Sequence, residues 1–455
     1  MNTLYNCRLS LRSLGPLLLV LTLCATPASA QDDFVDLFSR AEAFHESIGT
    51  AREQARQAAL ERRKVLGQLL PSLDVSWSTT RREEEKTRTI GGSTSVIRPD
   101  QTDRATVQVG QTLYTGGRAS NQLKIATIAQ VAGEVELRAA RETLLFDVAE
   151  AYFGILKARE DLATVSDRLT GMQRHLDAAK ARVRLGADVR ASVLRIESEV
   201  AQLAAERLQA EDQLTSAHEA LATLTGGSPG VEPGTPPNLD AIQVVTIGDP
   251  VLYALGHRAD MLVLAGEVLA ADMGVRYTTG TFLPLVELEG NYTFEDTTSD
   301  FVPEEDASAT LTASWNLYSG GEHLAERRRA RSVRMEKRMD LARTQREIRI
   351  EVEQAVRGVK VAERIVEALS DGMTYALENH RIVSETYKAG AATYLDVIDA
   401  SDTLGDARRE LAHARFDYSL ALLGLGRASG SLLTVVGEQP ETYPELTRWM
   451  DDSPP

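Results

Sequence analysis

The chain repeats itself. Gln111-Thr-Leu-Tyr-Thr-Gly-Gly117 returns as Trp315-Asn-Leu-Tyr-Ser-Gly-Gly321, and Gly186 of Arg184-Leu-Gly-Ala-Asp-Val189 returns as Gly390 of Lys388-Ala-Gly-Ala-Ala-Thr393, both at an offset of 204. Two landmarks with one offset mean that the segments between them are equal in length, so a duplicated unit has to be folded before any whole-chain architecture. A third pair, Leu70-Pro71 and Leu283-Pro284, sits at an offset of 213, which leaves nine extra residues in a loop of the first copy.

Each unit reads alike. Residues 32–69 are rich in Ala, Glu, Gln and Arg with apolar residues at helical spacing, and Pro71 ends the pattern. Leu73, Val75 and Trp77 then alternate with polar residues, as a strand with two different faces does, and after a polar, Gly-containing loop Val107, Val109 and Leu113 alternate up to Gly116-Gly117. The second copy offers Val286, Leu288, Tyr292 and Phe294, then Leu311, Ala313, Trp315 and Leu317, around an acidic loop with Asp296, Asp300, Glu304, Glu305 and Asp306. That makes four strands.

Residues 118–185 and 322–389 contain no proline and read as two very long helices, each ~100 Å at ~1.5 Å per residue. Their apolar residues, such as Leu144, Val148, Tyr152 and Ile155, recur every three to four positions, a pattern for packing helix on helix. After turns at Gly186 and Gly390, returning helices run to Gly226-Gly227 and to about Gly430. The expected division is a leader (1–30), a first repeat (31–227), a linker or equatorial segment (228–247) with four prolines in 228–237, a second repeat (248–430) and a tail (431–455), poorly ordered from Pro440.

The leader has Arg8 and Arg12, an apolar stretch over residues 14–24 and Ala28-Ser29-Ala30 as a cleavage signal; lipidation at Cys24 is the alternative to cutting after Ala30. Both cysteines, Cys7 and Cys24, fall in it, which leaves the mature chain without disulfides or thiolate metal sites. Removing Arg8 and Arg12 from the 50 basic residues leaves 48 against 66 acidic ones, a net charge of −18, which argues against nucleic acid as a partner. No apolar run after the leader is long enough for a membrane helix. If the chain crosses a membrane it does so by strands, hence in an outer membrane. Four strands cannot close a barrel, and open edges in lipid cost several kcal/mol per unpaired group. Copies must therefore share one wall; barrels start at about eight strands, so two or three copies are the minimum, and three would give twelve strands.

At this point Leu317-Tyr-Ser-Gly-Gly321, Tyr387-Lys-Ala-Gly-Ala-Ala-Thr-Tyr-Leu-Asp396-Val-Ile-Asp399-Ala400 and Ala407-Arg-Arg-Glu-Leu-Ala-His-Ala-Arg-Phe-Asp-Tyr418 carry a resemblance. The duplicated strand-strand-helix-helix unit looks like the TolC family of outer-membrane efflux proteins, over essentially the whole mature chain. The resemblance implies a mainly α fold with a membrane β-barrel portion: a homotrimeric, twelve-stranded barrel in the cell outer membrane that continues as a periplasmic α-helical barrel. It also implies an exit duct for efflux or type I secretion, docked to a periplasmic adaptor and to an inner-membrane pump of resistance, major-facilitator or ABC type. Asp396, Asp399 and Tyr387 become candidates for the periplasmic aperture. Gly186, Gly390, Arg184 and Lys388 are candidates for the helix tips and adaptor contact, and Gly116, Gly117, Gly320 and Gly321 for the strand-helix junctions. Two positions depart from the family pattern: Ala392 stands where an arginine is expected and Ser192 where an aspartate is, so closure needs another contact, through Arg184, Arg190 or Asp188.

No enzyme motif, cofactor or metal site is expected; the seven histidines show no i, i+3 or i, i+4 pair. Arg327-Arg328-Arg329 with Arg331 reads as a water- or headgroup-facing run, and Trp77, Trp315, Tyr114 and Tyr318 as an interfacial belt in contact with outer-membrane lipid. The competing reading is a structural or adhesive coiled-coil protein of the envelope that never enters a membrane.

Overall fold

The computed structural model describes residues 31–186, 189–227, 232–240, 242, 248–297, 299, 302–439, 443–444 and 446. The leader, with Cys7, Cys24 and Ala30, lies outside the described residues, as do Asp188, Asp300 and most of the chain from Pro440.

The first repeat opens with β1 (Gln31–Asp32), α1 (Phe34–Phe44) and α2 (Glu46–Gly67). The single helix expected over residues 32–69 is therefore two: His45 takes an extended conformation, and its ring accepts the amide of Ser47 as the cap of α2. Next come β2 (Ser72–Arg81), β3 (Lys86–Ile90), β4 (Ser93–Arg98) and β5 (Gln101–Tyr114), then α3 (Arg118–Arg184) and α4 (Arg190–Thr225). After β6 (Glu232–Pro233), which pairs with β1, the second repeat runs through α5 (Pro250–His257) and α6 (Ala259–Gly280). It continues as β7 (Leu285–Thr297), β8 (Glu305–Ser314), α7 (Glu322–Lys388) and α8 (Tyr394–Ser429).

The duplication is metrical. Helices α3 and α7 both have 67 residues, and α4 and α8 both have 36. The loop expected between the first two strands instead holds the hairpin β3–β4. In the second copy β8 stops at Ser314, short of the expected Leu317, because its partner β7 begins only at Leu285, opposite Ser314 and just after Pro284; beyond it the Trp315 indole N–H donates to the Phe282 carbonyl at 3.0 Å.

Four strands form one antiparallel sheet in the order β2-β5-β7-β8. Above the middle of the molecule the helices stand in the same sequence, α2 beside α3, α3 beside α6, α6 beside α7. Each helix continues the strand next to it in the chain, so sheet and helical layer form one continuous wall. Towards the far end the order becomes α4, α3, α8, α7.

The main core lies at mid-length, where α1 meets α3 and α4. Phe34, Leu37, Leu144, Val148, Tyr152 and Ile155 are buried there, each contributing roughly 1.5–3 kcal/mol of apolar burial. The Tyr152 hydroxyl is satisfied by the Gly234 carbonyl at 2.9 Å. Leu432, Leu433 and Val435 join this core from a short 3-10 helix after Gly430, and Leu446 is fully buried in a separate cluster beside Val135 and Leu262.

Candidate gate and pore wall

Register divides the sheet into two faces. Leu73, Val75 and Trp77 stand opposite Val109, Val107 and Ala105, which stand opposite Gly290, Tyr292 and Phe294. Leu311, Ala309 and Ala307 extend that apolar face onto β8, and Val75 and Trp77 are more than 70% exposed. The other face carries Asp74, Ser76 and Ser78, then Gln108, Thr106 and Arg104, then Asn291, Thr293 and Glu295. An exposed apolar face backed by a polar one is the pattern of a strand between lipid and water. On the polar face Arg104 pairs with Glu295 at 2.7 Å.

The junction glycines all adopt positive φ: Gly116 at 67°, Gly117 at 80°, Gly320 at 66° and Gly321 at 91°. Left-handed backbone costs other residues roughly 1–2 kcal/mol, so glycine lets each strand turn sharply into its helix. At Gly116 space is limiting as well, since a Cβ there would stand 2.5 Å from the Gly280 carbonyl oxygen and 2.8 Å from the Leu283 Cβ.

At the opposite end, Gly186 (φ 73°) and Gly390 (φ 76°) reverse the chain after α3 and α7. The Ala391 amide reaches back to the Thr386 carbonyl at 2.9 Å, closing the last turn around left-handed Gly390. Arg184 and Lys388 lie in the last turns of the two helices, where the helix dipole favours a cation.

Asp396 and Asp399, three apart on α8, are both exposed but differ in chemistry. The Asp396 carboxylate accepts the Thr393 amide and hydroxyl, each at 2.7 Å, while the Thr393 oxygen accepts the Asp396 amide. This is a reciprocal cap on α8, and those two donors hold the carboxyl below its usual range. Tyr387 is bound by a residue the sequence reading missed. Arg182, two residues before Arg184, donates to its hydroxyl at 3.1 Å and lies 5.5 Å from its ring centre. The Tyr387 ring meets Tyr394 edge-on, Tyr394 meets His175, and the Tyr394 hydroxyl points at the Met172 sulfur, so α3, α7 and α8 interlock within one chain. The only sequence signal for Arg182 was its helical proximity to the tip.

Further from the tip, α3 and α8 are laced by Arg168–Asp402 at 2.6 Å, Arg408 bridging Glu160 and Asp167, Lys157–Asp417, and His413–Asp161. Beside these pairs lies a cleft of about 430 Å³ lined by Thr164, Arg174, His175, His380 and Gly405 among others. Burial and the neighbouring His380 push the His175 pKa down. Among the described residues no group of three or more His, Cys, Asp or Glu could hold a metal ion, and no helix is long and apolar enough to cross a membrane.

Comparison with known proteins decides the family. The model of the outer membrane efflux protein family matches residues 37–227 and 253–431, both repeats. The chain belongs to that family. It is 23% identical to the outer membrane protein TolC of Vibrio cholerae over 355 residues, covering 74% of this chain and 80% of TolC. With the alkaline protease secretion protein AprF of Pseudomonas aeruginosa it shares 24% over 383 residues, 80% of this chain and 77% of AprF. The crystal structure of VceC from Vibrio cholerae superposes with a TM-score of 0.71 at 19% identity, covering 90% of this chain and 97% of that one. The protein is accordingly an outer-membrane efflux or secretion channel with a large periplasmic portion, and the mainly α fold with a strand portion is the one expected. The reading as an envelope coiled coil outside the membrane falls with the family match.

Proposed function

We propose that three copies of the chain close into one duct, each lending four strands to a twelve-stranded barrel, and that the duct takes its cargo from a periplasmic adaptor and an inner-membrane pump. Two unfilled edges carry this reading. β2 and β8 are exposed along their whole length, each with one paired side in the sheet, and such edges cannot rest in hydrocarbon. The repeat supplies the partner. The 204-residue offset carries Gly116 onto Gly320, and the 213-residue offset carries Gly280 and Leu283 back onto Gly67 and Leu70. Among the described residues nothing lies within 4 Å of where a Cβ would stand on Gly320 or Gly67, and Leu70 is 59% exposed. The contact that Gly116 makes inside the chain thus has its two halves vacant at opposite edges, as a head-to-tail ring requires.

Within this duct Asp399 and, through its unused oxygen, Asp396 form the acidic aperture; Tyr387 braces the tip; Gly186, Gly390, Arg184 and Lys388 meet the adaptor. The relatives' names span efflux and protease secretion, so the cargo follows from the pump, whether resistance-type, major-facilitator or ABC. Two measurements test the reading. The purified protein should need detergent and sediment as a trimer; a folded monomer stable without amphiphile overturns the duct. In planar bilayers Asp396→Ala with Asp399→Ala should reduce cation preference and block by multivalent cations, and unchanged selectivity removes both residues from the constriction.

A further inference from the structure

The first repeat's net excess of nine residues lies in the loop between β2 and β5, and that loop holds the hairpin β3–β4, which has no counterpart among the described residues of the second repeat. Gly91 and Gly92, with φ of 62° and 92°, supply its two-residue turn, the geometry a tight hairpin needs. Its position is fixed by what it covers. On the polar face of the sheet, at the end away from the helices, Thr102 and Glu295 are only 8% exposed. At the same level of the apolar face, Thr79 and Asp296 remain open. The cover is the hairpin base: Ile97, Arg98 and Pro99 enclose a cavity of about 230 Å³ with Ser78, Thr80 and Thr102. Arg82 ties it down by donating to the Pro99 carbonyl at 3.1 Å and the Thr102 hydroxyl at 3.5 Å, and the Ser299 hydroxyl reaches the Val96 carbonyl at 3.2 Å from the other repeat.

The geometry points to an exit-side constriction: the hairpin folds inward over the mouth of the barrel, and three copies narrow the opening to the exterior. This rests on the trimeric duct proposed above. Lys86, Arg88 and Arg98 of the hairpin are offset by Glu83, Glu84 and Glu85 just before it, and Glu295 of the wall is already paired with Arg104, so the hydrogen bonds from Arg82 and Ser299 rather than net charge hold the hairpin inward. A lone two-stranded hairpin is marginal in water, and a few hydrogen bonds hold this one. It can therefore yield to passing cargo while excluding large molecules from outside.

The test reads access to the lumen from the outside, which the periplasmic tip does not affect. Beyond the leader the chain has no cysteine, so Gln108→Cys puts a single thiol on the polar face below the hairpin. On intact cells a small maleimide should label it in every background. A bulky polymer-linked maleimide should label it about tenfold faster once residues 86–98 are replaced by two glycines, the ratio for a mouth open about a tenth of the time. Arg82→Ala, which keeps the hairpin but cuts its tie, should fall between. Equal bulky-reagent rates in all three backgrounds, with trimers intact, overturn the constriction alone. Absence of trimers from the unaltered chain overturns the duct and the constriction with it.

Discussion

Asp396 is where a single side chain has two claims on it. As part of an aperture it should present charge to passing ions, yet one of its oxygens is committed to Thr393. Because the carboxyl is held below its usual range, its capping contribution is complete above the ordinary value of 3.8 and is lost as pH falls through the lower folded value. Thr393→Ala should cost about 1 kcal/mol at the start of α8, seen as faster hydrogen exchange over residues 394–398. Asp396→Asn should add little in that background, since the two side chains form one device. Additive effects would show that Asp396 acts apart from the cap. Asp396 was legible as a candidate only through the family motif it shares with Asp399, whereas the Thr three residues before it was the local signal for a helix cap. The junction glycines were legible because duplication marked them; Arg182 was not, because its partner Tyr387 is 205 residues distant.

Among the elements, the long helices were read nearly to the residue, since an absence of proline over 67 residues admits little else. The break at His45 and the hairpin were missed for one reason: both are set by local hydrogen bonds that leave the hydrophobic pattern unchanged. How α3, α7 and α8 hold together was also hidden, and there a pH dependence follows. His175 on α3 faces His380 and Arg381 on α7, Tyr394 and Arg408 on α8, and Asp167, Arg168 and Arg174 on its own helix. Asp167 and Arg168 are already engaged with Arg408 and Asp402. With its folded pKa below the ordinary 6.5, unfolded His175 binds more protons in the window just beneath 6.5, so stability there rises with pH. Acidification through that window should loosen the tip, read as faster proteolysis near residues 175 and 394. His175→Gln should flatten most of the slope. A slope unchanged in that variant would assign the effect to another group.

For the whole molecule the repeat predicts a contact that no single chain contains. In the sheet Gln108 of β5 stands opposite Asn291 of β7. The offset of 204 carries Gln108 to Thr312 on β8, and the offset of 213 carries Asn291 back to Ser78 on β2. If closure copies the internal seam, Thr312 lies opposite Ser78 of the partner subunit, both on the polar face, since Thr312 is in register with Glu287 and Ser78 with Arg104. Opposed residues in an antiparallel pair have Cα atoms roughly 4.5–5.5 Å apart, within the range a disulfide spans. Thr312→Cys with Ser78→Cys should therefore form, on mild oxidation in the membrane, linked dimers and trimers on a non-reducing gel. Thr312→Cys with Thr79→Cys should not, because a one-residue step turns the second thiol to the lipid face. Pairing Thr312→Cys with Ser76→Cys or Thr80→Cys measures the remaining freedom, a slip of two residues in either direction that keeps the face. A maximum at either of those positions would mean that the seam between chains departs from the seam within one, and that the wall is three-fold rather than nearly six-fold regular.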